Sequence, residues 1–293
     1  MAKKILIVIL LFSTILPMHV FSSVLILKWK DADFYNEAVK GIESAGIKDY
    51  TVIDCKGEKD NAISGIKNAG MYEAVIILGE TPLKIAVSEN LKQPIFYGMV
   101  YNPSLIVSNK DNVSGVSLNI SFSKQLEIIK QVLPKAVSVG VLYSKDELIA
   151  NLSDEADKKD MSLKKFKAEN DKDVGDKISG MKDVSVILMI SDPILSASGV
   201  ISSLILQSQK IKAPLFVSSD KLVKSGALFG LAPNYFENGK SVGKMVKKYI
   251  ESNEMAEKAD MESGDLYLNL KTAKELKITL PDALQKQAKA KFE

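Results

Sequence analysis

"LMISDPILSAS", residues 188 to 198, is an apolar run that stops at Ser191-Asp192-Pro193 and gives way to small polar residues. The same event occurs earlier, where "FYGMVYNPSLI", residues 96 to 106, stops at Tyr101-Asn102-Pro103. Proline fixes φ and lacks a backbone donor, so it closes an apolar strand and opens a turn. Two apolar strands that each end in Asx-Pro imply two similar halves. They also pose a chemical question: Asp192 is either a turn former or a carboxylate presented to a partner.

Outward from these two stretches, short apolar runs alternate with longer periodic ones. Strands are expected over 24–27, 50–54, 74–78, 94–99, 138–143, 185–190, 214–217 and 226–231. Helices are expected between them. Residues 33–46 place Phe34, Ala38, Ile42 and Ala45 on one face, with Gly46 as the terminating glycine. Residues 81–90 begin with Thr81 as the N-cap and Pro82 at the first helical position. Residues 123–132 stop before Pro134, and 146–159, 196–209, 235–252 and 271–277 complete the set. Alternation of this kind implies parallel sheets with right-handed crossovers, an α/β fold. "AVIIL" and "VSVILMI" are apolar throughout, as strands covered on both faces are. "NVSGVSLNISFS", residues 112 to 123, is polar and aperiodic for a helix. Val113, Val116, Leu118 and Ile120 alternate as a strand would, so the segment reads as a crossing between two sheets. Residues 255–264 read as a polar connection.

Composition narrows the chemistry. The chain has 293 residues, 46% hydrophobic and 26% charged, enough for two compact lobes. It opens with MAKKILIVILLFSTILPMHVFSS, in which Lys3 and Lys4 precede an apolar run broken by Pro17 and followed by Ser22 and Ser23. The run is shorter than the ~20 residues a span needs, and the pattern is that of a secretory signal peptide over 1–22. No cysteine lies near that site, so no lipid anchor is expected, and the destination is the periplasm. Without Lys3 and Lys4, 37 of the 39 basic residues face 36 acids. A near-neutral chain calls for no nucleic acid and no anionic membrane surface. Lys164-Lys165 and Lys247-Lys248 read as solvated helix faces. Cys55 is alone, so there is no intrachain disulfide, and His19 leaves with the leader. Catalytic triads and the usual zinc ligands go with it, so neither an enzyme, a metal nor a cofactor is expected. "ENGKS", residues 237 to 241, fails as a phosphate loop because Asn234 stands where the motif needs glycine.

What remains is the set of loops after each strand, where open α/β sheets bind their ligands. They carry Trp29 in the first; Glu80 and Thr81 in the third, at a helix N-terminus; and Tyr101 and Asn102 in the fourth. The second half supplies Tyr143 and Ser144, then Asp192, then Ser219 and Asp220.

"ILGETPLKIAV" through "QPIFYGMVYNPSLI", then "NVSGVSLNISFSKQLEIIKQVLPKAVSVGVLYSKDE", resembles the substrate-binding proteins of ABC importers, in the group related to the aromatic-amino-acid binder. "VKSGALFGLAPNYFENGKSVGKMV" and "LNLKTAKELKITLPDAL" match the same pattern, so the resemblance covers most of the chain after residue 70. It departs at Asn102, where aspartate is usual, and at Glu80, where a small residue is usual. The resemblance implies the type I periplasmic-binding fold: two Rossmann-like lobes with parallel sheets joined by three crossovers, near 115–121, 228–234 and 261–269. Lobe 1 is then 23–117 with 232–264, and lobe 2 is 118–231 with 265–293. It further implies a monomer that closes by a hinge over a small polar solute, such as an amino acid, and delivers it to an ABC permease in the inner membrane. The alternative keeps the fold and makes the chain the ligand-sensing subunit of a membrane receptor or kinase. In either case Thr81 would hold a carboxylate, Asp192 an ammonium, and Trp29, Tyr101 and Tyr143 the apolar part.

Overall fold

The computed structural model describes residues 24–293 apart from 108, 109, 171 and 197. The signal peptide expected over 1–22 lies outside the described residues. The first half runs β1 (Val24–Lys28), α1 (Asp33–Ser44), β2 (Tyr50–Asp54), α2 (Lys59–Lys67), β3 (Ala74–Leu78), α3 (Glu80–Ser88), β4 (Ile95–Gly98) and β5 (Val113–Ile120). It continues with α4 (Phe122–Val132), β6 (Ser138–Tyr143), α5 (Leu152–Asp157), β7 (Ser162–Lys167), α6 (Val174–Ser179), β8 (Val186–Met189), α7 (Ser198–Ile211) and β9 (Leu215–Val217). Then come α8 (Asp220–Lys224), β10 (Phe229–Ala232), α9 (Tyr235–Ser252), β11 (Ala259–Met261), β12 (Asp265–Asn269), α10 (Leu270–Leu276), α11 (Asp282–Gln287) and β13 (Ala290–Phe292).

Two sheets result. The first has the order β11-β5-β4-β3-β1-β2, with every pairing parallel. The second has the order β13-β12-β10-β9-β8-β6-β7, parallel except where β10 meets β12. The chain passes between them three times: after β5, after β10 and after β11. All five residues of β3 and all four of β8 are buried, as strands covered by helices on both faces must be.

Several expectations need correction. Residues 112–123 do not merely cross: Val113–Ile120 is a full strand of the first sheet, next to β4. The helix expected over 146–159 is broken, because Asn151 leaves helical geometry between a short 3-10 turn and α5. Lys164 and Lys165 lie on β7, not on a helix. β7 is the edge of the second sheet, where lysines blunt unwanted strand pairing. The polar connection over 255–264 contains β11, paired to β5. Thr81 is not the N-cap of α3. Gly79 is, at φ +116, because a Cβ there would lie 2.6 Å from the Tyr35 hydroxyl oxygen. Finally, α1 buries Tyr35, Ala38, Gly41 and Ile42, and leaves Phe34 exposed.

The last correction follows from how α1 meets α9. The two helices run parallel with their backbones almost touching. A Cβ on Gly41 would stand 2.0 Å from the Phe236 carbonyl oxygen, and one on Gly239 would stand 1.9 Å from that of Ala38. The glycine of "ENGKS" is thus spent on a helix contact. Its neighbour Asn238, fully buried, fastens α9 to the sheet. Asn238 Oδ1 accepts from Met99 N at 2.9 Å, and Nδ2 donates to the carbonyls of Val116 (3.1 Å) and Ser117 (2.9 Å). Because the helices are parallel, their N-termini arrive at the same end of the first sheet, the carboxyl end of its strands.

Gly239→Ala is expected to cost at least about 2 kcal/mol in urea unfolding, since backbone cannot yield as a side chain does. Gly175→Ala, in a helix with nothing within 4 Å of the new Cβ, is expected to stabilise by about 0.5–1 kcal/mol. Equal effects of the two would contradict the close-packed contact.

Candidate functional site

The carboxyl ends of both sheets face one another across a cleft, and the loops there do the positioning. After β4 the chain takes two left-handed residues, Met99 at φ +58 and Asn102 at φ +49, on either side of Val100 and Tyr101. The first is held by the Asn238 amide described above. The second presents the Asn102 side chain to the opposite lobe, where Nδ2 donates to the Ser191 carbonyl at 2.8 Å. Asn119 Nδ2 donates to Asn102 Oδ1 at 3.0 Å, which fixes the amide's orientation. The two Asx-Pro endings therefore meet: Tyr101-Asn102-Pro103 bonds Ser191-Asp192-Pro193 across the cleft.

Asp192 answers the opening question in part. It is buried, and its carboxylate accepts from Ser144 N at 2.7 Å, from Ser144 Oγ at 2.9 Å and from Ile194 N at 2.9 Å. These bonds tie the loop after β6 to the loop after β8. The carboxylate organises the wall of lobe 2, and Ser144 is its partner.

The remaining expected residues divide. Glu80, Tyr101, Asn102 and Asp192 line one crevice of about 500 Å³ with Lys84, Lys145 and Ser191. Glu80 begins α3 and pairs with Lys84 one turn on, the acidic residue favoured at a helix N-terminus. Thr81 is half-buried as the second residue of that helix. Trp29 is half-buried where it packs over Gly79. Tyr143 is buried at the end of β6 with its hydroxyl against Asp146, and Asp146 also pairs with Lys167 at 2.6 Å. That places Tyr143 in a polar cluster of lobe 2 rather than beside Tyr101. Ser219 is the N-cap of α8 and Asp220 its first residue.

Sequence reasoning missed two aromatic rings. Phe34 and Tyr235, both 37% exposed, lie 5.8 Å apart, centroid to centroid, at the N-termini of α1 and α9. Tyr235 also stands near Tyr101, whose pKa is pushed up to about 12 by burial and by that neighbour. Burial and the charge of Asp220 raise the pKa of Tyr235 itself. Thus Phe34 and Tyr235 form an exposed ring pair, and Tyr101 and the lobe 2 carboxylate of Asp220 lie within electrostatic reach of Tyr235. Phe34 looked like part of an apolar helix stripe. Only the parallel docking of α9 exposes it beside Tyr235.

A second crevice of about 470 Å³ opens on the other side of the Asn102–Ser191 bond, towards the crossing strands. Among the described residues no group of three His, Cys, Asp or Glu is placed to hold a metal ion. No described helix is long and apolar enough to cross a membrane. Cys55 is buried, with its thiol pushed up to about 11 by desolvation and by Asp54, so it is unreactive at neutral pH.

With this geometry in hand, comparison with known proteins is specific. Residues 35–291 match the family described as ABC transporter substrate binding protein. A tyrosine-binding protein of Clostridioides difficile (strain R20291) is 27% identical over 173 residues, 56% of this chain and 50% of that protein. The matched stretch therefore spans half of that relative. Among solved structures, the ligand-free, open form of a Clostridium difficile substrate binding protein with adhesive properties superposes with a TM-score of 0.67. It shows 19% identity over 93% of this chain and 100% of that one. An ABC domain from Streptococcus pneumonia in complex with L-Trp gives a TM-score of 0.57 at 21% identity, over 92% of this chain and 100% of that one. The shared architecture is the type I periplasmic-binding fold.

Asn102→Ala removes the donor that joins the lobes. The expected outcome is a larger radius of gyration in small-angle scattering of the ligand-free protein, with unfolding stability lowered by no more than about 1.5 kcal/mol. An unchanged radius would show that other contacts hold the lobes together. Asp192→Ala leaves half-buried donors of Ser144 and Ile194 without this acceptor. It is expected to cost about 2 kcal/mol or more in chemical denaturation, whatever ligand is present.

Proposed function

The chain belongs to the ABC transporter substrate binding protein family, and we propose that it captures an amino acid with an aromatic side chain and delivers it to an ABC importer. The observation that carries this reading is the exposed Phe34–Tyr235 ring pair, with Asp220 within electrostatic reach of Tyr235 and with Tyr101 lining a crevice whose walls come from both lobes. Aromatic rings give a flat apolar solute large contact area, and offset or tilted ring pairs add about 0.5–1.5 kcal/mol each beyond area burial.

In this reading the solute's ring is enclosed by Tyr101, Tyr235 and Trp29. Its ammonium is held by Asp220, because the carboxylate of Asp192 is engaged by Ser144 and Ile194. Its carboxylate meets the N-terminus of α3 at Glu80-Thr81, where backbone N–H groups and the helix dipole favour an anion. Glu80 keeps its own charge occupied with Lys84. Closure follows from differential binding: a solute touching both lobes stabilises the closed arrangement more than the open one. The Asn102–Ser191 hydrogen bond is the protein's own share of the closed contacts. The names of the tyrosine-binding relative and of the L-Trp complex support the solute class. The leader read from residues 1–22 supports delivery from the periplasmic side, with the permease as partner.

A thermal-shift series on the mature protein tests this. L-tyrosine, L-tryptophan and L-phenylalanine are expected to raise the midpoint, by about 2.7 kcal/mol of added stability at 100 times Kd. Non-aromatic amino acids and sugars are expected to leave it unmoved. Tyr235→Ala is expected to weaken the best ligand about 3- to 10-fold in calorimetric titration. A sugar that shifts the midpoint while no amino acid does would overturn the assignment of solute class.

A further inference from the structure

The crevice behind the Asn102–Ser191 bond contains none of Trp29, Phe34, Tyr101, Tyr235 or Asp220. It is walled by both lobes and by two of the three crossing segments: Asn119 to Phe122, which leaves β5, and Lys258 to Glu262, which contains β11. Its charged groups are Glu147 from lobe 2, Asp260 and Glu262 from β11 and its end, and Lys258.

Three observations describe what this cavity lacks. Asp260 is exposed on the cavity wall, and desolvation, opposed by the Ser117 hydrogen bond and aided by the charge of Glu262, holds its carboxyl above the usual range. Ser117 Oγ donates to its Oδ1 at 2.5 Å, and no described cation pairs with it. Gln125, only 4% exposed, lines the cavity from the first turns of α4. Its Nε2 donates to the Ile120 carbonyl at 2.6 Å, which fixes the amide's orientation, and its Oε1 has no partner. A buried acceptor without a donor is rare in folded proteins and costs stability. With Lys258 the one cation against the carboxylates of Glu147, Asp260 and Glu262, the excess in the cavity is of acceptors and negative charge, which a cationic donor serves.

A metal ion does not fit, since no three ligating side chains are gathered for one among the described residues. An ammonium does: it has three donors, no directional coordination requirement, and a carbon chain to lie along Ile120, Phe122, Leu148 and Ile190 on the same walls. We propose that this hinge-side cavity is a second binding site, for a small organic cation of the primary-amine or polyamine class, held by Asp260, Glu262 and the Oε1 of Gln125. Because its walls belong to both lobes and to the crossing strands, an occupant sets the angle between the lobes. Its binding is then coupled to that of the solute in the aromatic cleft, and the coupling is reciprocal.

The test is calorimetric titration of the mature protein with putrescine and spermidine, with ammonium chloride, magnesium chloride and tetramethylammonium as comparisons. One saturable site is expected for the primary amines, and none for magnesium or for tetramethylammonium, which has no N–H. Asp260→Asn and Glu262→Gln are expected to weaken the amine 10-fold or more. Glu147→Gln, at an exposed position where misfolding is not a concern, is expected to weaken it 2- to 5-fold. Tyr235→Ala, which impairs the aromatic cleft, is expected to leave the amine affinity unchanged. Saturating spermidine is expected to change the affinity for the best aromatic solute at least 3-fold. Absence of saturable amine binding would overturn the proposal, as would amine binding that survives both Asp260→Asn and Glu262→Gln. Competition at a single shared stoichiometry would also overturn it, because the cavity would then be part of the solute site.

Discussion

The architecture depends on the backbone contact between α1 and α9. The chain leaves the first lobe after β5, builds β6 to β10 of the second sheet, and must then return to the place it left. The return is specified by the absence of side chains: Gly41 and Gly239 let the two helices approach to a distance that no Cβ allows. Asn238, next in sequence to Gly239, converts that proximity into a fixed register by bonding the backbone of Met99, Val116 and Ser117. The same amide therefore holds the end of β4, from which the cleft-bridging Asn102 is presented. Register, return path and site geometry are consequences of one buried contact.

From that contact the cleft acquires unequal parts. On the mouth side, parallel docking brings two helix N-termini together, and with them Phe34 and Tyr235. On the hinge side, Asp260 and Glu262, on and after β11, share a cavity with Gln125 of α4 and with Lys258. The Asn102–Ser191 hydrogen bond stands between the two. In the proposed function, a solute that touches both lobes adds to this bond and selects the closed arrangement. Asp192 belongs to this design at one remove. It locks the loops of lobe 2 so that the Ser191 carbonyl is a rigid acceptor.

Legibility in the sequence followed the range of the forces involved. β3 and β8 were evident because full burial on both faces demands unbroken apolar runs, and α9 because its caps and its period lie within the helix itself. The break at Asn151 and the edge strand β7 were not legible. "SLKKFK" carries lysines that suit an exposed helix as well as a sheet edge, and only pairing with β6 decides between them. At the cap of α3 the local rule favoured Thr81. A distant hydroxyl, that of Tyr35, required the glycine and moved the helix start to Glu80.

The sequence by itself determined the α/β class, the two sheet-forming halves, and the loops that end the strands of both sheets. These follow from composition and periodicity, which act over a few residues. Tertiary structure alone decided which loop residues face one another. It turned Asp192 toward Ser144, put Tyr143 against Asp146, uncovered Phe34 beside Tyr235, and brought Asp260 to Ser117 across 143 residues. The first two depend on how the second sheet sets its loops, and the last two on how the chain returns after its excursion through the second lobe, a path no local pattern records. "SDP" announced a turn and a carboxylate. Only the fold determined which donors the carboxylate would serve.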